Sequence, residues 1–587
     1  MKYILIFLCV SPFALSQIKE ERLILDKKRE PEVKKIEKKK TSVATVKNYP
    51  PKEKKIQDSI NLKYDITDVP AVSDFRTSEI QGEDISPKFD ANLQNNYFRF
   101  GMGNFGKILA DGNISGILEN KIEIGGDVHF LSTSGLKDDY DWSSKQSSGN
   151  ISAFINGYGE VGKFNINAEY GREDYNFYGI YAFQPPADID VKQNVSQIKI
   201  NGYYDFYSNN ILNDIRIKSS FLSDKFKAKE SSAEILLNLS KHSVDLSDDI
   251  VLNADLGIGI ATQKTDFAIL DEHSSNFFSG IASPKITFRK GESYLMLGSD
   301  FSFTDSKFGS NALPENTTEN DFLWFPKAEF QFAATEEFKF YAGIDGGLKL
   351  NSYADFLREN PYLLPDQQLM PTETKYHFYF GLRGDVAENL KYDVSAGFAK
   401  AKNIAFFEAD NIFDDECTLN RSAYDFANVF STVYDSGNIS DVKASVQYFP
   451  LENLVLNGEL NYAKYDLENY ENIYNKPLLK ANIGAKFTTL EKKLLLGFDA
   501  IFFSDRTTNI FKDITNPATN PAVFTMEENR DEKVGGFADL NLSAEYKIHK
   551  NFSIFALGNN LLNTKYQTFN GYKVLGVQIL GGVKIAF

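Results

Sequence analysis

The sequence predicts an all-β chain: a transmembrane antiparallel β-barrel of about 22 strands, preceded by a disordered Lys-rich N-terminal segment. Three observations carry that prediction. From Tyr97 to the C-terminus, apolar and polar residues alternate with period two in segment after segment, the signature of strands with one apolar and one polar face. Short turns and long polar stretches follow one another in alternation through the same region, as in an outer-membrane barrel. After the first ten residues no window approaches 18 consecutive apolar residues, which excludes spanning helices.

Composition narrows the alternatives. The 587 residues include 49 Phe and 30 Tyr but only 2 Trp, and the net charge is −16. Five His and two Cys leave little material for a zinc or disulfide scaffold. Gly 39 and Pro 18 are ordinary numbers and exclude collagen-like repeats or wholesale disorder. An acidic chain is not expected to bind nucleic acid.

Residues 1–16 form a secretory signal: Met1-Lys2, an apolar run from Tyr3 to Val10, and small residues at Ala14 and Ser16. Cys9 follows the bulky Leu8, a poor context for a lipoprotein, so Cys9 leaves with the signal. Cys417 then stands alone, and no internal disulfide is expected. Residues 17–60 form a Lys-rich periplasmic tether, with Lys34-Lys35, Lys38-Lys39-Lys40 and Pro50-Pro51 within it. Its low apolar content does not offset the entropy of ordering. It is either a solvated linker or a basic arm for anionic lipid headgroups or an acidic partner. Residues 61–96 scatter Ile66, Val69, Phe75, Ile85 and Phe89 among polar residues. At about 3.3 Å per residue the segment outreaches the ~25 Å apolar band of a barrel, yet it is too poor in apolar residues to form its own core. It is expected to lie ordered against the inner wall as a partial plug.

The barrel occupies 97–587. In the segment 539–548, Leu540, Leu542, Ala544, Tyr546 and Ile548 share one face, with Asp539, Asn541, Ser543, Glu545 and Lys547 on the other. Val442, Ala444, Val446 and Tyr448 oppose Lys443, Ser445 and Gln447 in the same way. Short turns are expected at 119–121, 160–163, 209–213, 244–249, 290–291, 335–337, 387–389, 450–453, 489–492 and 548–551. Long loops are expected at 136–148, 304–320, 351–373, 403–423 and 505–535. This alternation gives 22 strands if 424–449 is one long, bent strand. The last strand sets Val577, Ile579, Gly581, Val583, Ile585 and Phe587 on one face. A terminal Phe on such a strand resembles the signal read by the outer-membrane barrel assembly machinery, although Leu580 stands where a polar residue is usual.

Several motifs carry a family resemblance. Asn360-Pro361-Tyr362-Leu363, followed by Pro371-Thr372-Glu373 and an alternating strand, is similar to a loop-to-strand element of TonB-dependent receptors. Pro477 at the head of a strand fits the same pattern. The most specific match runs from Asn541 through Gly558, Asn560-Leu561, Tyr566 and Gly571-Tyr572 to Phe587. The resemblance covers 97–587 and implies a 22-stranded barrel in a Gram-negative outer membrane, in contact with lipid and lipopolysaccharide. It also implies a part in transport. The family's globular plug has no counterpart here, so closure falls to outer loops, to 61–96, or to a separate plug or periplasmic partner protein.

No catalytic or metal constellation emerges, and no cofactor is expected. His129, His242, His273, His377 and His549 are scattered, and no HExxH, GxSxG or phosphate loop occurs. The carboxylates at 138–141 and 410–416 lack a glycine placed for a calcium turn and read as solvated acidic loops. Two further functions remain beside transport: a structural subunit of a larger outer-membrane assembly or secretion complex, and a passive porin.

Overall fold

The computed structural model describes residues 96–118, 121–136, 142–179, 189–207, 211–269, 272–310, 317–387, 389–410, 423–425, 427–513 and 526–587. The expectations for the signal, the tether and the partial plug fall outside them.

The described strands, in chain order, begin with β1 (Tyr97–Gly103), β2 (Ile108–Leu118), β3 (Ile122–Thr133), β4 (Gln146–Tyr158), β5 (Gly162–Asn176) and β6 (Lys192–Phe206). Next come β7 (Leu212–Asp224), β8 (Lys229–Ser247), β9 (Ile250–Phe267), β10 (His273–Lys290), β11 (Ser293–Ser310) and β12 (Thr317–Ala333). A helix, α1 (Tyr353–Glu359), separates β13 (Lys339–Lys349) from β14 (Thr372–Val386). β15 (Leu390–Asp410), β16 (Val429–Leu451), β17 (Leu454–Leu467), β18 (Leu479–Thr489) and β19 (Leu494–Phe503) follow. The chain ends with β20 (Arg506–Asp513), β21 (Met526–Val534), β22 (Phe537–His549), β23 (Phe552–Asn559), β24 (Gln567–Phe569), β25 (Tyr572–Lys573) and β26 (Gln578–Ala586).

Neighbours in sequence pair antiparallel, and β26 pairs back onto β1, with Tyr97 opposite Ala586 and Gly103 opposite Leu580. The result is one closed sheet of 22 strands. β20–β21 and β24–β25 are separate hairpins that belong to the connections after β19 and β23. The expected strand count holds, and so does the single long strand: β16 runs unbroken, with a register shift against β15 between Ala401 and Ile404.

Two expected loops are shorter than their polarity suggests. Residues 304–310 remain in β11, and 403–410 remain in β15. The polar residues of 304–310 mark where the outward apolar band stops on β11, whereas on β15 Ile404, Phe406 and Phe407 are buried; backbone pairing continues in both. The connection 350–371 also contains α1, whose first turn is capped by the Ser352 hydroxyl accepting from Asp355 N at 3.0 Å.

The period-two faces are as predicted. Leu542, Tyr546 and Ile548 are exposed outward, while Asp539 and Glu545 are buried inward. Leu580 explains its departure from the usual polar residue: it packs inward in a buried cluster with Leu109, Leu557 and Phe555. The rest of the lining is polar. Glu329 accepts from Arg383 at 2.8 Å and from Tyr379 at 2.6 Å, and the Arg383 guanidinium lies 4.2 Å from the Tyr341 ring centre. Such pairing lets charged groups leave bulk water at little net cost.

Rings repeatedly lie across glycines of a neighbouring strand. A Cβ at Gly157 would fall 2.0 Å from the Phe164 ring, at Gly162 2.5 Å from Tyr204, and at Gly381 2.4 Å from Tyr341. At the closing seam a Cβ on Gly582 would sit 2.1 Å from the Phe100 carbonyl oxygen and 2.7 Å from the Phe555 ring. Replacing Gly582 by Leu therefore forces β1 and β26 apart, at a cost of at least the roughly 1–3 kcal/mol of an overpacked core. The expected result is loss of the compact, heat-modifiable band on unheated gels; retention of that band at wild-type melting temperature would contradict this account of the seam.

Candidate functional site: the roof over the loop end of the barrel

A ring of 22 strands spaced about 4.8 Å apart and tilted by about 40° is roughly 40 Å across, too wide for its own side chains to fill. At the end carrying the long connections it is spanned by a roof. The roof is made where the β5–β6, β13–β14, β15–β16 and β23–β26 connections meet. β5 and β16 stand on opposite sides of the ring, so their connections touch only by crossing the mouth.

The helix α1 is seated first. The Glu230 carboxylate, buried near the start of β8, accepts from Tyr353 N at 2.6 Å and Ala354 N at 3.1 Å, and Thr265 Oγ1 donates to it at 2.9 Å. Tyr353 also donates through its hydroxyl to Asp224 at 3.1 Å. Asn360 ends the helix, and its side-chain oxygen accepts from Tyr362 N at 3.0 Å. The chain then runs beside the start of β16: Phe430 N donates to Tyr362 O at 3.2 Å and Leu364 N to Phe430 O at 2.9 Å. Gln367 is fully buried between them. Its amide donates to Leu364 O at 2.7 Å, and its oxygen accepts from Thr432 N at 2.6 Å.

The keystone lies at the centre. Tyr362 and Tyr572 stack at 3.4 Å with rings 12° from parallel, and Tyr178 stands edge-on to both, at 5.9 and 5.1 Å. Phe430 and Phe569 continue the cluster with centroids 5.1 Å apart. Asn428 ties three connections together. Its backbone N–H and side-chain amide donate to Gly179 O at 2.7 and 2.8 Å, and its carbonyl accepts from the Tyr572 hydroxyl at 2.6 Å. Gly571 next door has φ +87°, and a Cβ there would fall 2.6 Å from the Asn428 amide nitrogen; only glycine fits. Arg506 of the β20–β21 hairpin is buried and donates to Gln567 O at 2.6 Å. Burial pushes its guanidinium down to about 10, so it is charged at neutral pH. Beside the roof, a cleft against the wall is lined by Lys107, Thr133, Ser144, Tyr175, Tyr362 and Lys573.

The motif residues fall into five groups. Asn360, Pro361, Gly571 and Tyr572 meet in or beside the roof. Asn560, Leu561 and Tyr566 fix the base of the β23–β26 connection. Asn560, at φ +47°, accepts from Thr564 N at 3.0 Å and donates to Leu575 O at 2.9 Å, Leu561 N donates to Leu540 O at 2.9 Å, and Tyr566 donates to Asp539 at 3.0 Å. Pro371 and Glu373 sit at the head of β14: Pro371 O accepts from Asn403 at 3.2 Å, and Glu373 pairs with Leu348 and Lys402. Pro477 is buried just ahead of β18. Phe587 stands apart at the other end of the barrel, its N–H donating to Asn96 O at 2.9 Å and its side chain exposed. Sequence reasoning missed Glu230, Gln367 and Asn428, each a polar residue at a connection or strand end with no local signal of burial. The histidines lie apart from one another: His377 joins Asp441 at 3.0 Å and His242 joins Asp255 at 2.7 Å.

No family model matches the chain, and no curated protein matches it in sequence. Solved structures do match. The ferric-catecholate import receptor Fiu from E. coli K12 superposes with a TM-score of 0.60 at 11% identity, covering 84% of this chain and 82% of that one. The siderophore receptor PiuA from Acinetobacter baumannii gives 0.57 at 11% identity, covering 84% and 81%. The FrpB iron transporter from Neisseria meningitidis gives 0.59 at 9% identity, again over 84% and 81%. Identities this low establish fold alone. That fold is the 22-stranded outer-membrane barrel of the TonB-dependent receptors, and here, among the described residues, the body spanning it is a roof of its own loops rather than a plug.

Proposed function

We propose that the protein takes part in transport across the outer membrane as a receptor-like barrel, without enzymatic activity, whose barrier is the roof at its outer mouth. In this reading the long connections face the cell exterior and Tyr97 lies at the periplasmic rim. The observation that carries it is the Tyr362–Tyr572–Asn428 keystone, which joins connections from opposite sides of the ring and leaves passage dependent on moving them. The likeness to an import receptor, a siderophore receptor and an iron transporter supports the direction of use. A permanently open porin fits a roofed mouth poorly. An assembly subunit is the second reading, favoured by the roof's own buried core, which suits a fixed surface as well as a gate.

Two outcomes test the proposal. The purified protein should be silent in planar bilayers, and Tyr572→Ala, which removes the stacked ring at a cost of about 3–5 kcal/mol, should give measurable conductance while the barrel still shows heat-modifiable migration. An equally silent Tyr572→Ala would place the barrier elsewhere. Deletion of the gene should abolish uptake of a specific solute in cells with an energised inner membrane; unchanged uptake across a broad solute panel, together with stoichiometric partners after purification in mild detergent, would favour the assembly subunit.

A further inference from the structure

The longest unpaired edge in the barrel wall, among the described residues, belongs to β12. This strand pairs with β11 from Thr317 to Gln331 but with β13 only from Ala328 to Ala333. Continued register would set Pro326 against Gly346 and Trp324 against Leu348. Instead the pairing of β13 with β14 shifts register between Asp345 and Gly347, where β14 carries the extra residue. Pro326 itself accounts for the end of pairing, because a proline inside a sheet belongs on an edge, having no N–H to give. The exposure pattern changes at the same place. Thr318, Glu319, Asn320, Asp321 and Phe322 are all exposed, so the two-faced alternation of the wall stops. Phe322 is 71% and Trp324 58% exposed, and they lie level with the outward Phe303 and Phe301 of β11. From Phe322 to Lys327 the edge lies within the outward apolar band, where an open row of N–H and C=O groups has no water to bond, and from 317 to 321 it extends beyond that band.

We infer that the free edge of β12 over residues 317–327 is a docking site for an extended strand donated by a partner protein. Backbone groups in a row are complemented by another backbone, which lipid chains do not supply. The side chains define the rest of the partner's chemistry. Phe322 and Trp324 on the outward face call for apolar residues at alternate positions. Glu319 and Asp321 on the opposite face call for Lys or Arg between them. Main-chain bonds then give affinity, and the alternation gives register and selectivity. The inference is independent of whether the barrel transports anything.

The test is amide hydrogen exchange on the full-length protein in nanodiscs, with a synthetic ten-residue peptide of alternating Val and Lys as the probe. The expected result is that the amides of 317–321 that do not bond β11 exchange readily in the protein alone and slow roughly tenfold with the peptide, but not with the same peptide N-methylated along one edge. The double variant Glu319→Lys/Asp321→Lys changes two exposed side chains. It should lose that protection and gain it with a Val–Glu peptide. Three results would overturn the inference: slow exchange of the edge without any peptide, equal protection by the N-methylated peptide, or no protection by either charged peptide.

Discussion

A run of backbone groups without partners is costly in hydrocarbon, and the closed architecture follows from that constraint. It requires the first and last strands to meet, which they do where Tyr97 lies opposite Ala586. The seam is built for close approach: Gly101 and Gly582 face one another, and Phe555 and Leu580 lie over them. Larger residues at either glycine position would separate the strands whose union removes the edge. Because the joined strands come from the two ends of the barrel sequence, closure is the most non-local contact among the described residues and depends on every strand between them being present.

Closing so many strands creates the second problem, a lumen wider than side chains can fill. The chain answers with two different kinds of cohesion. The wall is held by backbone pairing with polar side chains turned inward, whereas the roof is held by aromatic packing with the polar groups locked inside. Each edge-to-face or stacked pair adds about 0.5–1.5 kcal/mol beyond the area it buries, and the roof contains many such pairs. Gln367 and Asn428 satisfy backbone groups that would otherwise be buried without partners, each worth about 1–3 kcal/mol if left bare. The roof is thus a small core in its own right, attached to the wall through the carboxylates of Asp224 and Glu230.

The wall was legible in the sequence because a half-apolar strand repeats every second residue, and nothing else in the chain imitates that over so many segments. The strand number and the unbroken course of β16 followed from turn spacing alone. The strand end was not legible in β11, since above the apolar band a paired polar strand and a polar loop have the same composition; in β15 the period-two alternation is lost because Phe406 and Phe407 are both buried. The roof was legible only through its motif residues. Asn360, Gly571 and Tyr572 were singled out by resemblance, but nothing local told that they converge from different sides of the ring. Glu230 and Asn428 gave no signal, because a polar residue beside a loop is ordinarily solvated and only tertiary contact makes it buried. The helix α1 was missed for a related reason: seven residues are too few to establish a 3.6-residue period.

The glycine–ring contacts in the wall have an evolutionary consequence. Phe164 over Gly157, Tyr204 over Gly162 and Tyr341 over Gly381 make each residue's tolerance conditional on another's. Acquiring a side chain at the glycine demands a smaller residue across the strand boundary, and losing the ring leaves a hollow that the glycine cannot fill. Selection in such a wall acts on pairs, so substitutions should arrive as compensated doublets, and a ring and its glycine can trade places or migrate to the next rung together. Sequences in such a wall can then differ position by position while the geometry persists, which fits a barrel that superposes on its structural neighbours at 9–11% identity and shares their fold.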